Sequence, residues 1–167
     1  MVTGSLIVVS GGLRQHYYKL TGASHTVQAY DSIIGVTNTL MPFIPYMKKQ
    51  KSCSLVCISS VASYVPLPFH GGYTSSKIAI RMIFDTWRPT LQRHNIKTIS
   101  ICPGFIDTPI VKGPARKLPM RSPDKAAEKF IKVIDKGKNT YVYPWHYKIL
   151  IFIANIVPKW LYNYVIR

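Results

Sequence analysis

Tyr73 and Lys77 pair a phenol with an ammonium four residues apart, and on a helix that spacing puts two side chains on one face, one above the other. An unperturbed phenol ionises near ~10, so by itself it exchanges protons poorly at neutral pH. A Lys ammonium held beside it favours the phenolate and lowers that value. A Tyr tuned in this way can give a proton to, or take one from, an alcohol or carbonyl oxygen. A hydroxyl nearby can hydrogen-bond the same oxygen and stabilise charge on it, and Ser60 stands at the end of a strand-like run. These groups perform only the proton half of an oxidation. The hydride half needs a cofactor such as a nicotinamide.

The pair alone is weak, because 11 Tyr in a Lys-rich chain produce about one such coincidence. The surroundings add weight. Leu55-Val56-Cys57-Ile58-Ser59-Ser60 reads as a strand ending thirteen residues before Tyr73. Thr98-Ile99-Ser100-Ile101-Cys102 reads as another, followed by Pro103-Gly104-Phe105-Ile106-Asp107-Thr108-Pro109. The competing reading makes Tyr73 the start of a surface helix and Lys77 a solvated side chain.

Taken in order, Ile58-Ser59-Ser60-Val61-Ala62, Tyr73-Thr74-Ser75-Ser76-Lys77 and residues 103–109 resemble the short-chain dehydrogenase/reductase family over about residues 5–144. The resemblance implies NAD or NADP as cofactor and catalytic roles for Ser60, Tyr73 and Lys77, with Lys77 also bonding the nicotinamide ribose. It implies that Pro103 and Gly104 open the turn facing the nicotinamide, and that the backbone near Ile106 and Thr108 touch its carboxamide. The family's fourth catalytic residue is an Asn. That position falls on Ser32, which lacks the amide and can bond its own helix backbone. The family's Asn-Asn-Ala-Gly segment is matched only by Val9-Ser10-Gly11-Gly12, placing Ser10 beside the cofactor. The family opens with a glycine-rich turn whose following helix holds a pyrophosphate. Gly22-Ala23-Ser24 does not supply one, since Gln15-His16-Tyr17-Tyr18-Lys19 is no buried strand. The chain is therefore expected to begin at the family's fourth strand, truncated by about a third of the usual domain. Leu6 to Val9 would then form an apolar sheet edge open to pairing.

At 167 residues and 47% hydrophobic content, the chain can build a sizeable core and is not disordered. The net charge of +16 attracts polyanions. A solvated Lys-rich surface comes first, an anionic membrane surface second. Nucleic acid comes last, for want of any recognition motif. Three cysteines, Cys53, Cys57 and Cys102, lie in or near strand-like runs without Cys-x-x-Cys or metal spacing. No metal is expected, and reduced thiols point to a cytoplasmic setting. Residues 1–12 lack the basic start and long apolar stretch of a signal peptide. His70 reads as a plain loop residue.

Leu6-Ile7-Val8-Val9 predicts a buried parallel strand. A helix is expected over residues 27–49, kinked or ended by Pro42 and Pro45, then a strand over 52–60. Residues 73–87 predict a helix apolar on most sides, packed on the sheet and on a second copy of the chain, as the resemblance implies. Residues 97–102 predict a strand, and 111–121 a basic loop over the substrate. Ser122-Pro123 predicts an N-capped helix with an apolar stripe of Ala127, Phe130, Ile131 and Ile134, ended by Gly137. Thr140-Tyr141-Val142-Tyr143 reads as a last strand.

Strands alternating with helices define an α/β fold, a partial doubly wound, Rossmann-like parallel sheet. Residues 1–144 would form it and residues 145–167 a hydrophobic C-terminal helix. That tail is well short of the ~20 apolar residues that span a bilayer. It reads as a helix closing the substrate pocket or a subunit contact, or else as an interfacial anchor flanked by Trp and Tyr, making the protein peripheral to a membrane. Apolar lid and tail residues point to a small hydrophobic alcohol or ketone. The alternatives to an oxidoreductase are an inactive fragment and a non-catalytic binding protein.

Overall fold

The computed structural model describes residues 6–10, 25–65, 67, 70–109, 111, 116 and 119–158, with backbone alone for 6–10 and 25–32. Four strands, β1 (Leu6–Ser10), β2 (Cys53–Ile58), β3 (Ile96–Pro103) and β4 (Thr140–Tyr143), form one sheet in the order β1-β2-β3-β4. Every neighbouring pair is parallel, in a register that sets Leu6 beside Ser54, Cys53 beside Ile96, and Ser100 beside Thr140. Parallel neighbours need long crossovers, and helices supply them. These are α1 (His25–Leu40), α2 (Ile44–Gln50), α3 (Gly71–Gln92) and α4 (Pro123–Asp135), with α5 (His146–Ile156) following β4. Among the described residues, β1 is paired on one side only.

The prolines act as their chemistry requires. Pro42 lies in a 3₁₀ turn, Met41–Phe43, that separates α1 from α2, and Pro45 sits in the first turn of α2. Lys51 closes α2 in the left-handed conformation, its N–H donating to the Met47 carbonyl at 3.1 Å.

Strand alternation sends the two sides of each strand to different layers. On one face Leu55 and Cys57 of β2 and Ile96 of β3 pack with Val36 and Leu40 of α1 and Ile80 and Phe84 of α3. On the other, Val56, Ile99 and Ile101 meet Val133 of α4, with Phe130, Ile134 and Tyr141 alongside. The result is a three-layer α/β/α arrangement with a parallel sheet in the middle. Cys53, Cys57 and Cys102 are buried free thiols.

Three local expectations are corrected. The stripe of α4 runs through Ala126, Phe130, Val133 and Ile134, while Ala127 is exposed and Ile131 is 59% exposed. Spacings of 4, 3 and 1 keep the first set on one face of a 3.6-residue period, and Ala127 and Ile131 fall off its edge. Ser122 holds the N-cap position of α4 without a side-chain cap bond; its carbonyl accepts from Ala126 instead. Finally, α3 is longer than residues 73–87 and is not buried all round: Ile78 and Met82 are 38% and 48% exposed. Gly137 does end α4, at φ +64. The residues of the Gly22-Ala23-Ser24 segment, and most of the loop 111–121, lie outside the described residues.

Candidate active site

Because all strands run the same way, their carboxyl ends share one rim, and open α/β sheets bind ligands there. The chain leaves β2 through Ser59 and Ser60 and makes one 3₁₀ turn, Val61–Ser63. Ser60 is extended (φ −163, ψ 160), and its hydroxyl accepts from the Ala62 N–H at 3.1 Å. The same hydroxyl donates to the Pro103 carbonyl at the end of β3, at 3.5 Å.

α3 brings the pair to this rim. Its first turn is closed by the Thr74 N–H on the His70 carbonyl at 2.8 Å. The Ser60 hydroxyl is close enough to the Tyr73 phenol to favour its ionised form. One turn on, Lys77 is 3% exposed, and its Nζ donates to the Ile58 carbonyl at 3.3 Å. That Nζ lies 5.7 Å from the centroid of the Tyr73 ring. Ser59 Oγ donates to the Lys77 carbonyl at 3.0 Å, stitching the helix to the end of β2. The structure thus brings Ser60, Tyr73 and Lys77 together at the rim.

The electrostatics differ from the sequence expectation in one respect. Burial holds the Tyr73 phenol above its ordinary value, with the Ser60 hydroxyl pulling only partly the other way. The Lys77 ammonium does not acidify it. Lys77 faces the ring, and burial pushes its own value down, opposed by the nearby thiols of Cys57 and Cys102. Desolvation therefore favours the neutral form of both groups.

Of the other expected residues, all but Ser32 lie at strand ends or in the segment that follows β3. Ser10 ends β1, its backbone in register with Ile58; Ser32 lies on α1; the side chains of both fall outside what is described. Pro103 ends β3. Gly104 N–H donates to the Tyr143 carbonyl at 2.7 Å, so β4 holds that amide. Ile106 forms a parallel bridge with Arg121, closed by the Asp107 N–H on the Arg121 carbonyl at 2.9 Å and the Arg121 N–H on the Phe105 carbonyl at 3.5 Å. Those bonds use the neighbours of Ile106; among the described residues its own amide and carbonyl have no backbone partner. The Thr108 carbonyl accepts from the Val111 N–H at 3.0 Å. His70 directly precedes α3, at its N-cap position.

Sequence reasoning missed Tyr147. This residue of α5 lays its ring on Gly104, where a methyl in place of hydrogen would stand 2.6 Å from Cζ. No local pattern pairs residues 43 apart in the chain; the signal available was the glycine itself, which often marks close approach.

A nicotinamide cofactor can be tested against these groups. Lys77 Nζ has one hydrogen bond at the rim and two further N–H donors for a sugar hydroxyl. Ile106 offers an amide and a carbonyl that have no backbone partner among the described residues. The described residues contain no glycine-rich turn leading into a helix for a pyrophosphate, so the fit covers the nicotinamide end alone.

A parallel three-layer sheet with a Ser, Tyr and Lys cluster at its carboxyl rim defines an oxidoreductase-like α/β architecture. The family model for short chain dehydrogenases matches residues 22–118. The chain belongs to the short-chain dehydrogenase family. Over 104 residues it is 33% identical to 3-oxoacyl-[acyl-carrier-protein] reductase FabG of Thermotoga maritima, covering 62% of this chain and 39% of that protein. Over 126 residues it is 30% identical to estradiol 17-beta-dehydrogenase 11 of Mus musculus, covering 72% and 42%. It thus spans under half the length of both. Among solved structures it resembles a short chain dehydrogenase from Burkholderia cenocepacia J2315 in complex with NADP, with TM-score 0.72, 18% identity and coverage of 86% of this chain and 61% of that one. It also resembles acetoin dehydrogenase YohF from Salmonella typhimurium, with TM-score 0.62, 18% identity and coverage of 83% and 61%. These likenesses establish the fold.

Proposed function

We propose that this chain acts in the NAD- or NADP-dependent interconversion of an alcohol and a carbonyl compound. The observation that carries the reading is the convergence of Ser60, Tyr73 and Lys77 at one rim, from a strand end and a helix. In reduction, Tyr73 gives its phenolic proton to the carbonyl oxygen while Ser60 hydrogen-bonds that oxygen. In oxidation, the phenolate takes the alcohol proton. Lys77 holds the ribose hydroxyls. A nicotinamide bound there would supply or accept the hydride. The relatives' names include a 3-oxoacyl reductase and an estradiol dehydrogenase, and a small hydrophobic ketone or alcohol suits the apolar α5 beside the rim.

The test is titration of the intact chain with NADH and NADPH, followed by turnover of a ketone panel. Quenched or enhanced cofactor fluorescence and ketone-dependent oxidation of NAD(P)H are expected. No fluorescence change up to millimolar cofactor defeats the enzymatic reading for this chain.

Two surfaces extend it. α3 exposes Ile78 and Met82, and α1 exposes Ile34, which suits a homo-oligomer. A sedimentation coefficient that stays monomeric at high concentration would dismiss that. Residues 145–167 are read as a helix appended to the sheet unit of residues 1–144. No helix among the described residues is long and apolar enough to cross a membrane. α5 nevertheless has no buried residue, and Phe152 and Ile156 are 67% and 64% exposed. The sequence after Asp135 contains no acidic residue. These features suit a peripheral seat on an anionic cytoplasmic membrane surface. Phe152→Asp should lower co-sedimentation with phosphatidylserine vesicles; equal binding by both proteins would remove α5 from that role.

A further inference from the structure

Tyr73, Lys77, Arg81 and Asp85 follow one another at intervals of four along α3, so one helix face carries them all. The first two face the candidate active site. The second two grip the turn next to it. Arg81 Nη2 donates to the Ser63 carbonyl at 3.3 Å, and its guanidinium lies 4.2 Å from the centroid of the Tyr64 ring. Nη1 pairs with Asp85 Oδ2 at 3.0 Å, with the two side chains 15% and 27% exposed. Asp85 is held in turn by Arg88 at 2.8 Å, and Arg88 donates to the carbonyls of Thr98 and Asn139, both at 3.1 Å. The gripped turn is the one that begins at Ser60. Ser63 Oγ donates to the Ser60 carbonyl at 2.7 Å, Ser63 N–H donates to the same oxygen at 3.0 Å, and Ser63 Oγ lies 3.9 Å from the Cys102 thiol.

We propose that Arg81 is a positioning residue for Ser60: it clamps the 60–64 turn to α3 and so fixes the Ser60 hydroxyl against the Tyr73 phenol, with Asp85 orienting the guanidinium. The proposal rests on the roles given to Ser60 and Tyr73 above. A lone 3₁₀ turn has poor hydrogen-bond geometry and holds its shape weakly. It is closed internally by the Ser63 N–H on the Ser60 carbonyl and by the Tyr64 and Val65 N–H groups on the Val61 carbonyl at 3.0 and 3.3 Å; Arg81 adds the tie from its Ser63–Tyr64 end to α3. A planar guanidinium does this in a way an ammonium cannot, by donating to a carbonyl, stacking on a ring and pairing with a carboxylate at once. Because the same helix carries Tyr73, donor and acceptor are referred to one rigid body. Productive geometry is held to within ~0.5 Å, so a tie between the turn and the helix that carries Tyr73 bears directly on how the two hydroxyls meet.

The test uses the intact chain labelled with [13Cζ]tyrosine, the Tyr73 signal being assigned with Tyr73→Phe. Its NMR titration is followed in the wild type, Ser60→Ala, Arg81→Gln, Arg81→Lys, Asp85→Asn and the Ser60→Ala/Arg81→Gln double variant. Ser60→Ala is expected to raise the Tyr73 midpoint by removing a bond to the phenolate. Arg81→Gln should raise it in the same direction, Arg81→Lys should fail to rescue it, and the double variant should titrate like Ser60→Ala. In turnover, Arg81→Gln should lower kcat about tenfold with the cofactor KM unchanged, and add nothing to Ser60→Ala. An unmoved Tyr73 midpoint in Arg81→Gln, or additive effects in the double variant, overturns the proposal. Should Arg81→Gln not fold, Asp85→Asn keeps shape and packing and decides alone: an upward midpoint supports the clamp, an unmoved one overturns it. The expected NMR pattern without any NAD(P)H turnover supports the clamp and defeats the proposed function.

Discussion

Desolvation at Tyr73 fixes which protonation state is at hand in neutral solution. The phenol stands above its ordinary value, so at pH 7 it is an acid ready to donate. Carbonyl reduction, which uses the phenol, should be flat through neutral pH and fall only above about 10. Alcohol oxidation, which uses the phenolate, should climb across the same range. A pH–rate profile in both directions checks this, and a reduction limb falling below pH 8 would contradict it. Tyr73→Phe should lower both directions by roughly 10²–10⁴-fold. Lys77 carries the opposite sign. Burial lowers its value, so the folded state binds that proton less firmly than the unfolded chain. Its contribution to stability is therefore whole above the unfolded value and lost as pH falls through the folded one. Lys77→Met should be more stable than the wild type at pH 7, a gap closing near pH 10, while NAD(P)H binding weakens. Thermal melts at the two pH values test the first part and fluorescence titration the second.

At the scale of elements, the contact of Tyr147 with Gly104 ties α5 to the turn after β3. Gly104→Ala would drive a methyl into the ring and should cost about 1–3 kcal/mol, as overpacking does. Adding Tyr147→Ala should recover most of that loss. Additive destabilisation in melts of the two single variants and the double would disprove the contact. The strands were readable in the sequence to within a residue or two, because continuous apolar runs bounded by Gly, Pro and Ser leave little freedom. So were the break at Pro42 and the end at Gly137. The face of α4 was misphased because Ala126 is too small to weigh against Ile131 in a hydrophobic count. Ser60, Tyr73 and Lys77 were legible as types in order. The direction of the Tyr73 shift was not, since it depends on how the ammonium is aimed and how much water the fold removes. The Arg81–Asp85 grip was invisible for a related reason: helical spacing shows that the two can pair, not that a turn 18 residues upstream lies beneath them.

The molecule as a whole should be sensitive to alkali. Burial raises the Cys57 thiol from 9.0 to about 12, so between those values the unfolded chain ionises while the folded one does not. A raised folded value means stability present below pH 9 and lost as pH rises toward 12. The loss from this thiol alone is about 1 kcal/mol at pH 10. Cys57→Ala should start lower in stability, through the cavity it leaves, yet decline less steeply from pH 8 to 10.5 in denaturant titrations. Parallel slopes would remove Cys57 as a cause.

The shared polarity of the four strands also makes the two ends of the sheet unequal as engineering ground. The exposed residues 93–95 join α3 to the start of β3, roughly 25 Å of strand from the end that meets Ser60. A reporter peptide spliced in there would ride on the blunt end of the domain. It could be fluorescent or carry an affinity handle, and it should leave proton transfer at the sharp end undisturbed.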